Sequence, residues 1–92
     1  MKLIFADQAW DDYLYWQKQD RRMIERINQL IRETQREPFA GVGKPEPLKH
    51  ALSGFWSRRI NDEHRMVCRV EKDALLIAQL RFHYSVASPA GK

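Results

Sequence analysis

The chain has 92 residues, of which sixteen are Lys or Arg and twelve are Asp or Glu, so its formal net charge is +4. This length supports one modest hydrophobic core and excludes a second large domain, and the single cysteine excludes an internal disulfide framework. A basic balance of this size is only a weak indication of nucleic-acid binding. No apolar stretch reaches membrane-spanning length, so we expect one cytoplasmic domain over residues 1–84 and a polar tail over residues 85–92.

The first part of the chain predicts a short strand followed by two helices. Residues 3–5 form the strand, and Asp7 and Asp20 can cap the first and second helix. The apolar face of the first helix is predicted to comprise Trp10, Tyr13 and Leu14. The second helix ends before Pro38. Its apolar stripe is predicted to comprise Met23, Ile24, Ile27, Leu30, Ile31 and Thr34.

The second part predicts a glycine- and proline-rich loop over residues 37–50, followed by three strands. These strands are expected at residues 54–60, 65–70 and 75–82. The predicted fold class is therefore α+β, with a small antiparallel β-sheet packed against two N-terminal α-helices.

Side-chain alternation along the strands predicts which residues share a face of this sheet. With a turn at residues 61–63, Arg59 lies opposite Arg65, and Trp56 lies opposite Cys68 on the other face. The apolar face of the second strand comprises Met66, Cys68 and Val70. It is best continued by Leu76, Ala78, Leu80 and Phe82. This choice places Gln79, Arg81 and His83 on the face of Arg59 and Arg65.

Arginines that face each other destabilise a sheet by up to roughly 1 kcal/mol per pair. Folding therefore gains nothing from placing Arg59 opposite Arg65. Two interpretations stay open: an anion binds between the arginines, or this face of the sheet is merely solvated.

Glu46 is the carboxylate that could complete a site on this face. It lies between Pro45 and Pro47, whose fixed backbone angles define where a short loop aims its side chain. Lys44 and Lys49 flank it and favour its ionised form. A single loop glutamate is usually plain surface charge, so Glu46 gains meaning only in combination with other groups.

Together, a carboxylate, an imidazole and guanidinium groups can cleave RNA without a metal or cofactor. A base removes the proton of the ribose 2′-hydroxyl, which attacks the adjacent phosphate, and an acid protonates the departing 5′-oxygen. Glu46 suits the base and His83 the acid, because imidazole has a reference pKa near 6.5, although the reverse assignment is chemically possible. Arg65, helped by Arg59 and Arg81, would neutralise the charge that builds on the phosphate.

Two other kinds of site are excluded by spacing. Pro38 and Pro45 occupy positions where a phosphate-binding loop requires glycine and serine or threonine. The three histidines and one cysteine lack the paired spacing of zinc ligands, so we predict no metal site.

The segments KPEPLKH, LSGFWSRRI, EHR and RFHY resemble the YoeB (Txe) toxins of bacterial type II toxin-antitoxin systems, within the RelE/ParE superfamily. The similarity runs from Met1 to Tyr84. It implies a RelE-like microbial ribonuclease fold and a ribosome-dependent endoribonuclease that cleaves mRNA in the A site and so inhibits translation. By this resemblance Glu46 corresponds to the general base, His83 to the general acid and Arg65 to the phosphate-stabilising residue. The candidate substrate-binding residues are Lys44, Lys49, Arg59, Arg81 and Tyr84.

The resemblance also implies partners and leaves two rival functions. The implied partners are a YefM-like antitoxin with an acidic disordered segment, the bacterial ribosome with its mRNA, and a second copy of the chain. One rival is a ParE-like toxin that binds DNA gyrase, and the other is an RNA-binding module without catalysis. An acid and base pair favours the nuclease, because neither rival needs one.

Overall fold

The computed structural model describes residues 1–82, so His83, Tyr84 and the predicted tail lie outside the described residues. Within these residues two helices follow a first strand, and four further strands and one 3-10 helix follow the second helix. In chain order the elements are β1 (Lys2–Phe5), α1 (Asp7–Gln19), α2 (Arg21–Arg36), β2 (Glu46–Pro47), a 3-10 helix (His50–Leu52), β3 (Trp56–Arg59), β4 (Arg65–Val70) and β5 (Ala74–Gln79).

The strands form one sheet in the order β1-β5-β4-β3-β2. The predicted α+β class is confirmed, but the sheet is mixed and not fully antiparallel, because β1 pairs with β5 in parallel. A parallel pair needs a crossover between its strands, and the two helices belong to that connection. The sequence analysis also missed β2, whose two residues pair with β3 inside the predicted loop.

The second helix matches its prediction closely. The Asp20 side chain accepts a hydrogen bond of 3.0 Å from the backbone N–H of Arg22, which confirms the predicted cap. The predicted stripe faces the core, with Ile24 partly buried and the other members buried. Neither helix in residues 1–82 is long and apolar enough to cross a membrane.

The first helix differs from its prediction. Asp7 is its first residue, and the cap position is taken by Ala6 without a side-chain hydrogen bond. The predicted apolar face was right for Tyr13, which packs against the core, but wrong for Trp10 and Leu14, which are exposed. Asp12 and Trp16 face the interior instead. Two hydrogen bonds to Leu80 explain why Asp12 and Trp16 face the interior. The Asp12 carboxylate accepts from the backbone N–H of Leu80 at 2.9 Å, and the Trp16 indole donates to the Leu80 carbonyl at 2.9 Å.

The pairing of β3 with β4 confirms the predicted register. Trp56 lies opposite Cys68, and Arg59 lies opposite Arg65. Trp56 is nevertheless only partly buried, and its ring packs against that of Phe39 with centroids 4.8 Å apart.

The predicted phase of β5 was wrong in its first half, and Phe82, which was also predicted to face the core, is exposed, whereas Leu80 is buried as predicted. Cys68 pairs with Ile77 and Val70 with Leu75, so the core receives Leu75 and Ile77. Leu76 and Ala78, which were predicted to face the core, are not part of it. A bulge shifts the register beside Val67, which pairs with Gln79. The bulge returns Gln79 to the face that the sequence analysis predicted for it.

Candidate active site

The sheet has two faces with different side chains. The helix face packs against α1 and α2, and its members include Trp56, Arg58, Met66, Cys68, Leu75 and Ile77. By strand alternation and register, the site face carries Glu46, Ser57, Arg59, Arg65, Val67 and Gln79.

Glu46 reaches the site face because β2 pairs with β3. It lies opposite Ser57, which is two residues from Arg59 on the same face. Because neighbouring strands are about 4.8 Å apart and each residue rises about 3.3 Å, the Cα atom of Glu46 lies about 8 Å from that of Arg59 and about 12 Å from that of Arg65. The Glu46 side chain is exposed, so one nucleotide can reach its carboxylate and the long arginine side chains together.

Arg58 anchors the loop that leads to Glu46. Its side chain is fully buried, and its guanidinium donates to the carbonyl of Val42 at 2.8 Å and to those of Glu37 and Ala40. Removal from water lowers the pKa of the Arg58 guanidinium, while nearby Cys68 and Glu33 oppose that shift. The buried cation therefore organises the loop and is not available to substrate.

Gly43 fixes the same loop from a second side. It has φ +89°, and a Cβ atom there would lie 2.9 Å from Leu30 Cδ2 and 3.3 Å from the Arg59 carbonyl oxygen. Its own carbonyl accepts from the backbone N–H of Arg59 at 2.7 Å. The loop that precedes Pro45, Glu46 and Pro47 is therefore held against α2 and β3.

Arg59 and Arg65 form a cationic pair across β3 and β4. Both are partly buried, and directly opposite residues of an antiparallel pair have Cβ atoms about 5 Å apart. Within residues 1–82, neither arginine has a carboxylate within 4.0 Å, and Glu46 has no basic partner within that distance. The Nε atom of Arg65 is buried and has no hydrogen-bond partner among the same residues. This pair has the charge and the donors to bind a phosphate.

The remaining basic candidates are Lys44, Lys49 and Arg81, which lie outside the strands. Lys44 and Lys49 are exposed in the loops on either side of β2. Arg81 differs from its predicted position beside Arg59, because β5 ends at Gln79 and alternation no longer applies beyond it. The Arg81 guanidinium lies over the Tyr15 ring of α1 at 3.5 Å from the centroid.

Two residues of this site escaped the sequence analysis as functional side chains. The sequence analysis did not single out Arg58, although the predicted position of Trp56 on the core face already implied that Arg58 shares that face. His64 is buried, and its Nδ1 accepts from the backbone N–H of Phe82 at 2.6 Å. No motif or spacing indicated that contact, because it joins a turn to the far end of the chain.

The structure thus brings together Glu46, Arg59 and Arg65, whereas His83 and Tyr84 lie outside the described residues. The carbonyl of Phe82 accepts from the backbone N–H of Arg65 at 3.0 Å. The residue that precedes His83 is therefore bonded directly to the candidate phosphate-binding strand.

Comparisons with known proteins show the family of the chain. The YoeB-like toxins of bacterial type II toxin-antitoxin systems match residues 5–84. The chain is 63% identical over 84 residues to Toxin YoeB of Escherichia coli, which covers 91% of this chain and 100% of that protein. A YoeB/ParE toxin from Agrobacterium tumefaciens has a similar structure, with a TM-score of 0.89, 56% identity, and coverage of 91% of this chain and 100% of that one.

The Staphylococcus aureus YoeB is similar at 42% identity, over 91% of this chain and 98% of that one, in two solved structures. One is a YoeB dimer, with a TM-score of 0.86. The other is a heterotetrameric YoeB-YefM toxin-antitoxin complex, with a TM-score of 0.84.

Proposed function

The chain belongs to the YoeB-like toxins of bacterial type II toxin-antitoxin systems, and we propose that it is a ribosome-dependent endoribonuclease that cleaves mRNA in the decoding A site. The observation that carries this proposal is the placement of Glu46 on the same sheet face as Arg59 and Arg65. A carboxylate beside two cations without carboxylate partners in residues 1–82 suits a phosphodiester whose neighbouring hydroxyl must lose a proton.

Glu46 acts as the general base in this proposal. Its carboxylate removes the proton from the ribose 2′-hydroxyl, and the oxygen forms a bond to the adjacent phosphorus. The loop before β2, which Arg58 holds through its carbonyls, supports this role, because a base must be held at a fixed distance from the hydroxyl it deprotonates.

Arg65 and Arg59 stabilise the charge that develops on the phosphorane. Guanidinium groups suit this task because they stay protonated and present several N–H donors in one plane. The bond to the 5′-oxygen then breaks, and His83 donates a proton to that oxygen. The products are a 2′,3′-cyclic phosphate and a 5′-hydroxyl, and no metal takes part.

The test uses the purified chain and a defined message, with and without programmed ribosomes. We expect cleavage only on the ribosome, at the codon in the A site, with cyclic phosphate ends and no loss of activity in EDTA at concentrations that leave ribosomes intact. Fragments that carry 5′-phosphates would contradict the proposed chemistry, and equal cleavage of free message would contradict the ribosome dependence.

We also infer that the chain is silenced by a YefM-like antitoxin. The S. aureus relative was solved in complex with YefM. A segment rich in carboxylates can occupy the site face because Arg59 and Arg65 have no carboxylate within 4.0 Å in residues 1–82. Association should slow as salt rises. Arg59→Glu should weaken binding of both antitoxin and programmed ribosomes; an antitoxin complex that still cleaves mRNA at the full rate would contradict this inference.

Self-association is a further proposal, because the S. aureus relative was also solved as a dimer. Light scattering across a concentration series would measure it. A mass that stays at one chain over the whole series would contradict it.

A further inference from the structure

The last three described residues are held by side chains, and strand pairing ends before them. As described above, Asp12 and Trp16 bind the N–H and the carbonyl of Leu80. Gln79 donates its side-chain amide to the Arg81 carbonyl at 2.7 Å. We call this set of contacts, together with His64 on Phe82, the C-terminal clamp.

Within the C-terminal clamp, His64 contacts Phe82, the last described residue. The side chain is 7% exposed, and its ring packs edge-on against that of Trp16, with centroids 4.8 Å apart. Nδ1 accepts the Phe82 N–H, so the ring proton must be on Nε2, which faces a Glu63 carboxylate oxygen at 3.6 Å. The imidazole thus serves here as a hydrogen-bond acceptor in its neutral form.

Phe82 has a backbone conformation that requires such support. Its φ of +63° is in the left-handed region, which non-glycine residues rarely adopt. Its N–H is bound by His64, and its carbonyl accepts from the Arg65 N–H at 3.0 Å. The two bonds together hold Phe82 between His64 and Arg65, the first residue of β4.

We propose that His64 is a positioning residue for catalysis: by holding Phe82 in the left-handed conformation, it keeps the Phe82 carbonyl bonded to the Arg65 backbone and so holds Arg65 in place for the proposed phosphate. This inference rests on the proposed nuclease function. It assigns His64 a task that packing alone does not require, since an apolar ring could fill the space beside Trp16 but could not accept the Phe82 N–H.

The experiment compares His64→Asn with His64→Phe. The asparagine Oδ1 takes nearly the position of histidine Nδ1, so it keeps the acceptor but loses the ring packing. Phenylalanine keeps a ring beside Trp16 but has no acceptor. His64→Leu, which also lacks an acceptor, replaces His64→Phe if the latter does not fold.

Two readouts are measured below the unfolding temperature of each variant. They are the single-turnover cleavage rate at saturating toxin on programmed ribosomes and the hydrogen-exchange rate of the Phe82 amide. For His64→Phe we expect a rate about 10- to 100-fold lower, as misplacement by about 1 Å produces, with faster exchange at Phe82 and unchanged ribosome affinity. For His64→Asn we expect a rate close to that of wild type despite a lower melting temperature.

A purely structural role predicts the opposite order, with activity following melting temperature. If His64→Phe cleaves at the wild-type rate, or if both variants lose activity in proportion to stability, this inference fails while the nuclease function stands. A wild type that does not cleave at all would overturn the proposed function and this inference with it. Failure of the two ideas is therefore distinguishable from the same set of measurements.

Discussion

Arg58 and Arg59 are neighbours in β3, yet they lie in opposite environments. Arg58 is on the helix face, fully buried, with three backbone carbonyls around its guanidinium. Arg59 is on the site face, partly exposed, opposite Arg65 and without a carboxylate within 4.0 Å in residues 1–82. The fold supplies hydrogen-bond partners to the Arg58 guanidinium, whereas the charge of Arg59 is available for the proposed phosphate.

The difference shows that the two faces of one strand have separate tasks: Arg58 contributes to stability, and Arg59 is available for the proposed chemistry. A buried cation persists only where hydrogen bonds replace its lost hydration, so Arg58 is committed to the loop at residues 37–43. A like-charged pair on the other face costs a fraction of a kcal/mol, up to roughly 1, which a bound phosphate can offset. We therefore expect changes on the two faces to affect different measurements.

The largest effect is expected for the catalytic candidates. Glu46→Ala, Arg65→Ala and His83→Gln should each lower turnover on the ribosome by about 10²- to 10⁴-fold, because each removes an acid, a base or a charge-stabilising group. Melting temperatures should stay near that of wild type. Glu25→Ala, which alters an exposed carboxylate of α2, is the control and should cleave normally. Three variants that all keep full activity would contradict the assignment of the site.

Arg58→Met should reduce the free energy of unfolding by about 3 kcal/mol, because it leaves buried carbonyls without donors. The matched variant Arg59→Met should change that free energy by no more than about 0.5 kcal/mol while lowering activity. Urea denaturation of both proteins measures the difference. Equal destabilisation by the two substitutions would show that the faces are not distinct.

Gly43→Ala should reduce the free energy of unfolding by about 1 to 3 kcal/mol, since the new Cβ meets Leu30 and the positive φ disfavours alanine. We expect activity to fall as well, because the loop carries Glu46. Gly54→Ala is the comparison, since Gly54 also has positive φ but its Cβ position is open. The difference between the two variants isolates the crowding at Gly43 by Leu30, Arg58 and Arg59, and identical losses would contradict that crowding.

The smallest effect is expected for the pH dependence of the free energy of unfolding, through the buried Asp12 of α1. Burial raises the pKa of its carboxyl above the ordinary value of 3.8, although hydrogen bonds from Leu80 and Gln8 and the charge of Arg81 oppose the shift. The folded state therefore holds the proton more tightly than the unfolded state. The free energy of unfolding should decrease as pH rises from about 3.8 through the raised pKa.

Asp12→Asn should remove this part of the pH dependence while keeping an acceptor for the Leu80 N–H. Urea titrations across that pH range test it, with the exposed turn variant Asp62→Asn as the control. A slope that is unchanged in Asp12→Asn would show that another group is responsible.

The sequence predicted those parts of the molecule that depend on local pattern. The α2 stripe and the β3–β4 register follow from helical spacing and one short turn, and both are confirmed. The buried side of α1 could not be predicted, because burial of Asp12 depends on a hydrogen bond to Leu80, far along the chain. The phase of β5 was missed because a bulge beside Val67 interrupts simple alternation.

In the candidate site, too, some features follow from local sequence pattern and others depend on contacts between distant segments. Arg59 and Arg65 were predicted to share a face from the hairpin alone. The pairing of β2 with β3 adds Glu46 to that face, and a single residue between two prolines did not suggest that pairing. The supporting roles of Arg58 and His64 depend on contacts between distant segments. Such contacts have no periodic signal in the sequence.

The most direct test of the central claim removes one oxygen atom of the substrate, the 2′-oxygen of the ribose. A message is prepared with a 2′-deoxyribose only at the nucleotide whose hydroxyl is the proposed nucleophile, and it is presented in the A site of programmed ribosomes. We predict that the chain still binds but does not cut at that position, while the matched all-ribose message is cut to a cyclic phosphate. Cleavage of the deoxy message at the same position would contradict the account, because Glu46 would then have no ribose hydroxyl to activate.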